Sequence, residues 1–185
     1  MEKVLDYEGK SYAIFDESSL YDDSQIGDKL TDFEILEVLN DESNPNFVAK
    51  VRSIKNHKIY ALKRINIQNY NPNYYEQQIK NLIELNNPHL IKYYTYFPMN
   101  GFLFLVMEYM NNSDIDGFRK AHQVLGKNIK EEEIWNILLQ CLSAIEYLHQ
   151  QNLGNFGIQL TNIFILCALL RIQILKRLNI FLKYL

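Results

Sequence analysis

Cysteine is scarce in this chain. Cys141 and Cys167 are the two that occur among 185 residues. They are too few for a disulfide framework, which suits a reducing compartment and leads us to expect a cytoplasmic protein. Histidine is sparse as well. His57, His89, His122 and His149 are scattered along the chain, with neither metal-ligand spacing nor a cysteine placed for activation. No G-x-S-x-G occurs, which removes the commonest serine-nucleophile signature. Long apolar runs are missing: Ile163–Leu170 is stopped by Arg171, well short of the ~18 apolar residues that mark a membrane-spanning helix. Met1–Tyr12 is charged and lacks an apolar centre, so no secretory signal is expected there. Glycine is thin too, and the seven that occur leave residues 40–48 without one.

What is present is ordinary for a globular domain. The chain is 48% hydrophobic and 22% charged, with a net charge of −3, enough apolar content for one core. The charge is uneven. Met1–Asp32 carries nine acids against Lys3, Lys10 and Lys29, whereas Ile163–Leu185 carries Arg171, Lys176, Arg177 and Lys183 with no acid. The basic end reads as a solvated face on an apolar segment, so neither a nucleic-acid nor a membrane partner is expected.

Periodicity and turn residues divide the chain. Residues 1–30 read as an acidic, partly disordered extension with a short strand near Ser11–Phe15. Thr31–Leu39 has strand character, and Asn40–Asn46 is a polar turn. Phe47–Ser53 and Lys58–Ile65 form a hairpin around Ile54–His57, and Tyr74–Leu85 is a helix. Tyr93–Pro98 and Phe102–Met107 pair around Met99-Asn100-Gly101. Asp114–His122 is a short helix. Ile129–Gln150 is a longer one, with Glu131–Glu133 in its first turn where the macrodipole favours acids. Its expected apolar stripe is Ile134, Leu138, Cys141, Leu142, Ile145 and Leu148. Cys167–Leu185 is an apolar, basic tail, readable as two strands or one helix.

Several stretches resemble the eukaryotic protein kinase domain. Tyr60-Ala61-Leu62-Lys63 resembles the V-A-I-K strand, and Val106-Met107-Glu108-Tyr109-Met110 the hinge. Asn86-Asn87-Pro88-His89-Leu90-Ile91 resembles the exit loop of the regulatory helix. Glu132–Leu138 and Tyr147-Leu148-His149 are similar to the NIMA-related serine/threonine kinases. Setting Asn162 on the Asn of the H-R-D-L-K-x-x-N loop puts Asn155 on its His, Phe156 on its Arg, Gly157 on the catalytic Asp and Gln159 on its Lys. The glycine-rich loop is replaced by Asn40-Asp41-Glu42-Ser43-Asn44-Pro45-Asn46-Phe47-Val48. Gln78 falls where the helix Glu that pairs the strand Lys belongs. Glu76 is about 200° away around the helix and cannot replace it. Ile174-Leu175-Lys176 stands where D-F-G belongs. The resemblance covers roughly residues 31–166.

The resemblance implies an α+β fold. A kinase-like small lobe and hinge, an antiparallel five-stranded sheet plus one helix, would span 31–110. Residues 111–166 would be the start of the helical large lobe, and 167–185 the tail. Val48, Ala61, Lys63, Met107, Glu108, Met110 and Phe164 would line an adenine nucleotide, and Asn162 would be a remnant metal ligand. Phosphoryl transfer needs held phosphates, metal ligands and an Asp that orients the nucleophile. Lys63 and Asn162 alone survive from that set. The expected function is a truncated, inactive kinase-like domain, a pseudokinase or fragment. It would require no cofactor, bind ATP or adenosine weakly without magnesium, and meet a protein partner or a second copy through helix 129–150. The alternative is an ATP-binding serine/threonine kinase whose other parts lie outside this chain. A gene-model fragment or pseudogene product stands beside both.

Overall fold

The computed structural model describes residues 3–5, 11–13, 25–40, 44, 46–68, 72–111, 113–153, 158–166 and 169–172. The chain divides into two compact units. One comprises Phe15–Leu85 and Lys92–Tyr109, and the other Met1–Ile14, Asn86–Ile91 and Met110–Leu185.

The first unit is built on a five-stranded antiparallel sheet, as expected. Its strands are β3 (Phe33–Val38), β4 (Val48–Ser53), β5 (Ile59–Asn66), β6 (Tyr93–Met99) and β7 (Phe102–Glu108), in the order β3-β4-β5-β7-β6. The register explains the residue choice. Ala49 pairs Leu62, which pairs Val106, and Val51 pairs Tyr60. These five side chains are buried together with Ile26, Phe33, Phe97 and Phe104. In β4 they alternate with partly exposed Lys50 and exposed Arg52, the period of two that a pleated strand imposes. Phe97 stacks on Phe104 at 5.4 Å and on Phe33 at 6.1 Å. The β6–β7 connection is a two-residue turn with Asn100 at φ 52° and Gly101 at φ 77°. This left-handed pair matches the twist of a hairpin.

Helix α1 (Pro72–Ile83) starts and ends two residues before the expected span. Pro72 fits the first helical position because its missing N–H has no partner there in any case. Ile79 and Leu82 are buried, and the helix lies against β6.

The sheet unit also begins earlier than residue 31. Ile26 is buried in its core, and its carbonyl accepts from the fully buried Ser53 Oγ at 2.6 Å. Ser53 Oγ in turn accepts from the Lys55 and Asn56 amides. The Ile54 N–H donates to the Asp32 carbonyl at 2.8 Å. Lys55 Nζ reaches Asp32 at 3.0 Å and Asp28 at 3.4 Å. Of the acids that gave 1–30 its disordered character in the sequence, Asp28 is therefore paired with a cation in the β4–β5 turn, as is Asp32 just beyond that segment.

The second unit holds the short hairpin β1 (Lys3–Leu5) with β2 (Ser11–Ala13), and α2 (Ile115–Val124), α3 (Glu131–Gln150), β8 (Ile163–Leu166) and β9 (Leu169–Ile172). Of the region expected to hold one short strand, Ser11–Ala13 is a strand, and Lys3–Leu5 pairs with it antiparallel. Asp114 caps α2 by accepting the Gly117 N–H at 2.8 Å. Segment 86–91 groups with this unit, and the Asn86 N–H donates to Tyr147 Oη at 3.0 Å. β9 resolves the reading of the tail for its four residues: Ile163 pairs Ile172 and Leu166 pairs Leu169, antiparallel. The later tail lies outside the described residues. No helix among the described residues is long and apolar enough to cross a membrane.

The Asp32–Lys55 link makes stability depend on pH. Burial works to raise the Asp32 pKa, but it is outweighed by the Asp28 N–H and the Lys55 ammonium, which leave it at about 2 against an ordinary 3.8. Its hydrogen bond to Asp32 is the main force raising Lys55. A carboxylate depressed on folding stabilises the fold above its unfolded pKa and loses that contribution as pH falls through the folded one. Urea midpoints at stepped pH should therefore hold above pH 3.8 and decline toward about 2. In Asp32→Asn that decline should be shallower, and an identical decline would remove Asp32 as its source.

Candidate functional site

Four of the seven residues expected to line a nucleotide lie on one face of the sheet. Val48 pairs Lys63, which pairs Leu105, and Ala61 pairs Met107. Directly opposed residues in a ladder share a face, and neighbours along a strand alternate. Val48, Ala61, Lys63 and Met107 therefore lie on the face opposite Ala49, Tyr60, Leu62 and Val106. Ala61 and Met107 are buried, and their row is extended by Lys50 on one side and Tyr93 on the other. Lys50 Nζ sits 4.8 Å from the Tyr109 ring centroid. The row thus joins buried Ala61 and Met107 to two lysines, Lys50 and Lys63, on one face.

Glu108 ends β7. Its N–H donates to the Lys92 carbonyl at 2.9 Å, and its Oε2 accepts from the Lys92 N–H at 3.3 Å. This bracket fixes where the strand passes into the hinge-like segment.

Met110 and Phe164 belong to the second unit. Phe164 forms a β-bridge with Asp114, and the Ile165 N–H donates to the Ser113 carbonyl at 3.3 Å. The segment after the hinge-like residues is thereby joined to the strand that follows Asn162. Asn162 closes a single 3₁₀ turn, Leu160–Asn162, with its N–H on the Gln159 carbonyl at 2.8 Å, and it is fully buried. Gly157, with Asn155 and Phe156, lies outside the described residues, as does Ile174-Leu175-Lys176. Among the described residues no group of three His, Cys, Asp or Glu converges on a metal position.

The start of the loop that carries Gly157 is well defined. Gln151 caps α3, Asn152 follows at φ 57°, and the Leu153 N–H returns to the Leu148 carbonyl at 2.9 Å. This is a Schellman closure with Asn in the usual glycine place. It turns the chain sharply off the helix.

The apolar stripe assigned to α3 needs correction. Cys141 and Leu148 are buried as expected, but they share that face with Ala144, not with Ile134, Leu138 and Leu142. Those three are exposed, together with Trp135 and Leu139. The helix carries one broad apolar arc, and a stripe drawn from spacing alone ran beyond the part of it that is buried. Positions 141, 144 and 148 recur at three- and four-residue steps and 134, 138 and 142 at four-residue steps, so periodicity could not choose between them. Next to the exposed face, Leu139, Leu142, Ser143, Ile145, Glu146, His149 and Gln150 line an open depression of about 770 Å³.

Sequence reasoning also missed the bonding within Asn40–Asn46. Asn40 Oδ1 accepts the Val48 N–H at 2.7 Å, Asn44 Oδ1 the Asn46 N–H at 2.9 Å, and Asn46 Oδ1 the Asn66 N–H at 2.7 Å. The recurrence of Asn at 40, 44 and 46 was the available signal, since short amides bond nearby backbone groups.

The comparisons bear on the family and the fold. A family model described as the protein kinase domain matches residues 43–174. Serine/threonine-protein kinase PLK4 of Nematostella vectensis is 25% identical over 144 residues, covering 76% of this chain and 14% of that protein. The probable serine/threonine-protein kinase nek3 of Dictyostelium discoideum is 29% identical over 110 residues, covering 58% of this chain and 10% of its own length. This chain thus spans a small part of the curated relatives it matches. Among solved structures, a crystal structure of Rad53 1-466 in complex with AMP-PNP superposes with a TM-score of 0.68 at 24% identity. It covers 77% of this chain and 38% of that one. At that identity the likeness shows the fold.

The two faces of α3 should separate in mutagenesis. Leu148→Ala empties a fully buried site and should cost about 2–5 kcal/mol in urea unfolding. Leu138→Ala, on a side chain 43% exposed, should stay within about 0.5 kcal/mol of the parent. Equal losses at both positions would mean that the 134–138–142 face is packed in solution.

Proposed function

We propose, from the premise that this chain belongs to the protein kinase domain family, that it works as a binding module of that family and not as a phosphotransferase. The observation that carries the proposal is Gly157. When Asn162 is set on the loop Asn of the family, a residue without a side chain stands where an Asp must orient the hydroxyl nucleophile. Gln159, Gln78 and Ile174-Leu175-Lys176 depart from the family pattern independently, at the loop Lys, the helix Glu and the metal-binding D-F-G. Restoring transfer would require compensation at each of these.

Adenine binding is the part of the family's chemistry that these residues still support. The proposed lining is Val48, Ala61, Lys63, Met107, Glu108, Met110 and Phe164, and the first three together with Met107 share a sheet face. Binding would be weak and would not depend on magnesium. A second reading, an ATP-binding serine/threonine kinase completed by residues outside this chain, is favoured by the same face and by the retained Lys63 and Asn162. The serine/threonine kinase names of the relatives also support it. The two separate on catalysis. With labelled ATP, magnesium and a generic Ser/Thr substrate, phosphate transfer should stay at background. Transfer above background that Lys63→Ala abolishes would favour the second reading.

The binding role we assign is to a protein surface. Ile134, Trp135, Leu138, Leu139 and Leu142 form an exposed apolar face on α3. Contiguous patches of this kind mark interaction sites, and covering one Leu-sized side chain contributes about 1.5–3 kcal/mol. The partner is another protein or a second copy of this chain. A cytoplasmic setting suits Cys141, a free and buried thiol. Sedimentation velocity over a concentration series should show association that Leu138→Lys with Leu142→Lys weakens. A parent chain that stays monomeric, and also keeps its thermal stability when those two leucines are replaced, would speak against α3 as the self-association surface.

A further inference from the structure

The exposed part of the apolar arc on α3 carries charge of one sign. The helix holds Glu131, Glu132, Glu133 and Glu146 and no Lys or Arg. At about 100° per residue, Glu131 falls about 20° and Glu146 about 40° from Leu142 around the axis. Both are exposed, so a carboxylate stands before and after the apolar row 134–142. Glu133 is turned elsewhere, with its Oε2 accepting the Lys130 N–H at 3.0 Å. Lys130, the cation nearest the helix in sequence, lies about 120° from Leu142.

The apolar row has the shape that receives another helix. Ile134, Leu138 and Leu142 form one ridge at four-residue steps, and Trp135 and Leu139 form a second beside it. The five are between 43% and 58% exposed, so the groove between the ridges is uncovered. The Trp135 indole N–H donates to Glu131 Oε1 at 3.2 Å, which ties the ring back toward the first turn. Toward the other end, Leu139, Leu142 and Ile145 line the open depression with Glu146. Apolar side chains beside a carboxylate suit the stem and head of a Lys or Arg.

Charge chooses the occupant. A second copy paired through the same face would set Glu131 of one copy against Glu146 of the other if the helices ran antiparallel, and against the other Glu131 if they ran parallel. Carboxylates meet in both cases, and like charges across an interface oppose it. We infer that this face docks an amphipathic helix of a partner protein, apolar along one side, with Lys or Arg near each end to meet Glu131 and Glu146. Those positions lie about 22 Å apart along the axis, so the partner's cations are about 15 residues apart. A crossing of about 20° carries the two axes about 4 Å apart sideways at each end of that span, within reach of a lysine. The crossing class near 50° would carry them about 9 Å apart. The inference rests on the reading of α3 as a protein-binding face and names its partner.

The test reads the fluorescence of Trp135, the single tryptophan of the chain, in the full chain. The probe is a synthetic helix of about 18 residues with a leucine stripe and two lysines about 15 residues apart. In its control peptide both lysines are replaced by glutamate. The lysine peptide should shift the emission to the blue and bind about tenfold or more tighter than the control, and salt should shrink that difference. Glu131→Gln and Glu146→Gln should each weaken it about two- to fivefold, the size of an exposed ion pair. Leu138→Lys with Leu142→Lys should remove binding. Equal affinity for the two peptides, or for the parent and both Gln variants, overturns the charge matching. Emission of the free chain that is already blue and unchanged by dilution means that a segment of the same chain covers the face, and overturns the inference. Emission that turns red on dilution and ignores the lysine peptide assigns the face to a second copy, which overturns the inference and leaves α3 a protein-binding face. A red, unresponsive Trp135 in a chain that stays monomeric overturns both.

Discussion

The register of β4, β5 and β7 is the constraint on which this structure depends. The columns Ala49–Leu62–Val106 and Val51–Tyr60 assign every side chain of the three strands to one of two faces. One face is sealed by Phe33, Phe97 and Phe104, and the other carries Val48, Ala61, Lys63 and Met107. Because side chains alternate, a slip of one residue would put Lys63 into the aromatic core and Leu62 out of it. Burial of the core face therefore positions the opposite face, Lys63 included.

Around that sheet the chain has exchanged one kind of interaction for another. Where the family uses glycines so that backbone donors can approach phosphate, this chain has asparagines, and those at 40 and 44 accept the Val48 and Asn46 N–H groups. Where the family pairs its strand lysine with a helix Glu, the matching residue is Gln78, which can hydrogen-bond an ammonium and cannot neutralise it. Where an Asp would orient a nucleophile, there is Gly157. The last two of these differences each put an uncharged residue where the family pattern has a carboxylate. The stabilising charges that do appear, Asp28 and Asp32 against Lys55, serve to fasten residues 26–32 to the β4–β5 turn.

Helix α3 illustrates a limit of pattern reading. A helix with apolar residues on more than half of its circumference satisfies several stripes at once, and only packing reveals which is used. Here Cys141, Ala144 and Leu148 are chosen and the face of Ile134, Leu138 and Leu142 is left in water. Ala144, fully buried, was invisible to a search for large side chains.

Strand alternation, the turn residues Met99-Asn100-Gly101 and Ile54–His57, and the apolar runs were legible in the sequence because each is a local consequence of backbone sterics and side-chain period. They were enough to anticipate the strands and the helix between them, and the resemblance to the kinase domain supplied their antiparallel five-stranded arrangement. The match of residue types to the kinase motifs likewise needed no coordinates, and Gly157 can be read from the sequence alone. Tertiary structure decided the rest. It recruited Ile26 to the core and brought Asp28 and Asp32 to Lys55, a cation some two dozen residues away in the chain. It bound Asn40 to Val48 and Asn46 to Asn66, and it selected one face of α3 over another. Each of these is a contact between residues distant in sequence whose individual types permit many partners. Which partner is taken follows from the energy of the whole packed arrangement, and no local pattern encodes that.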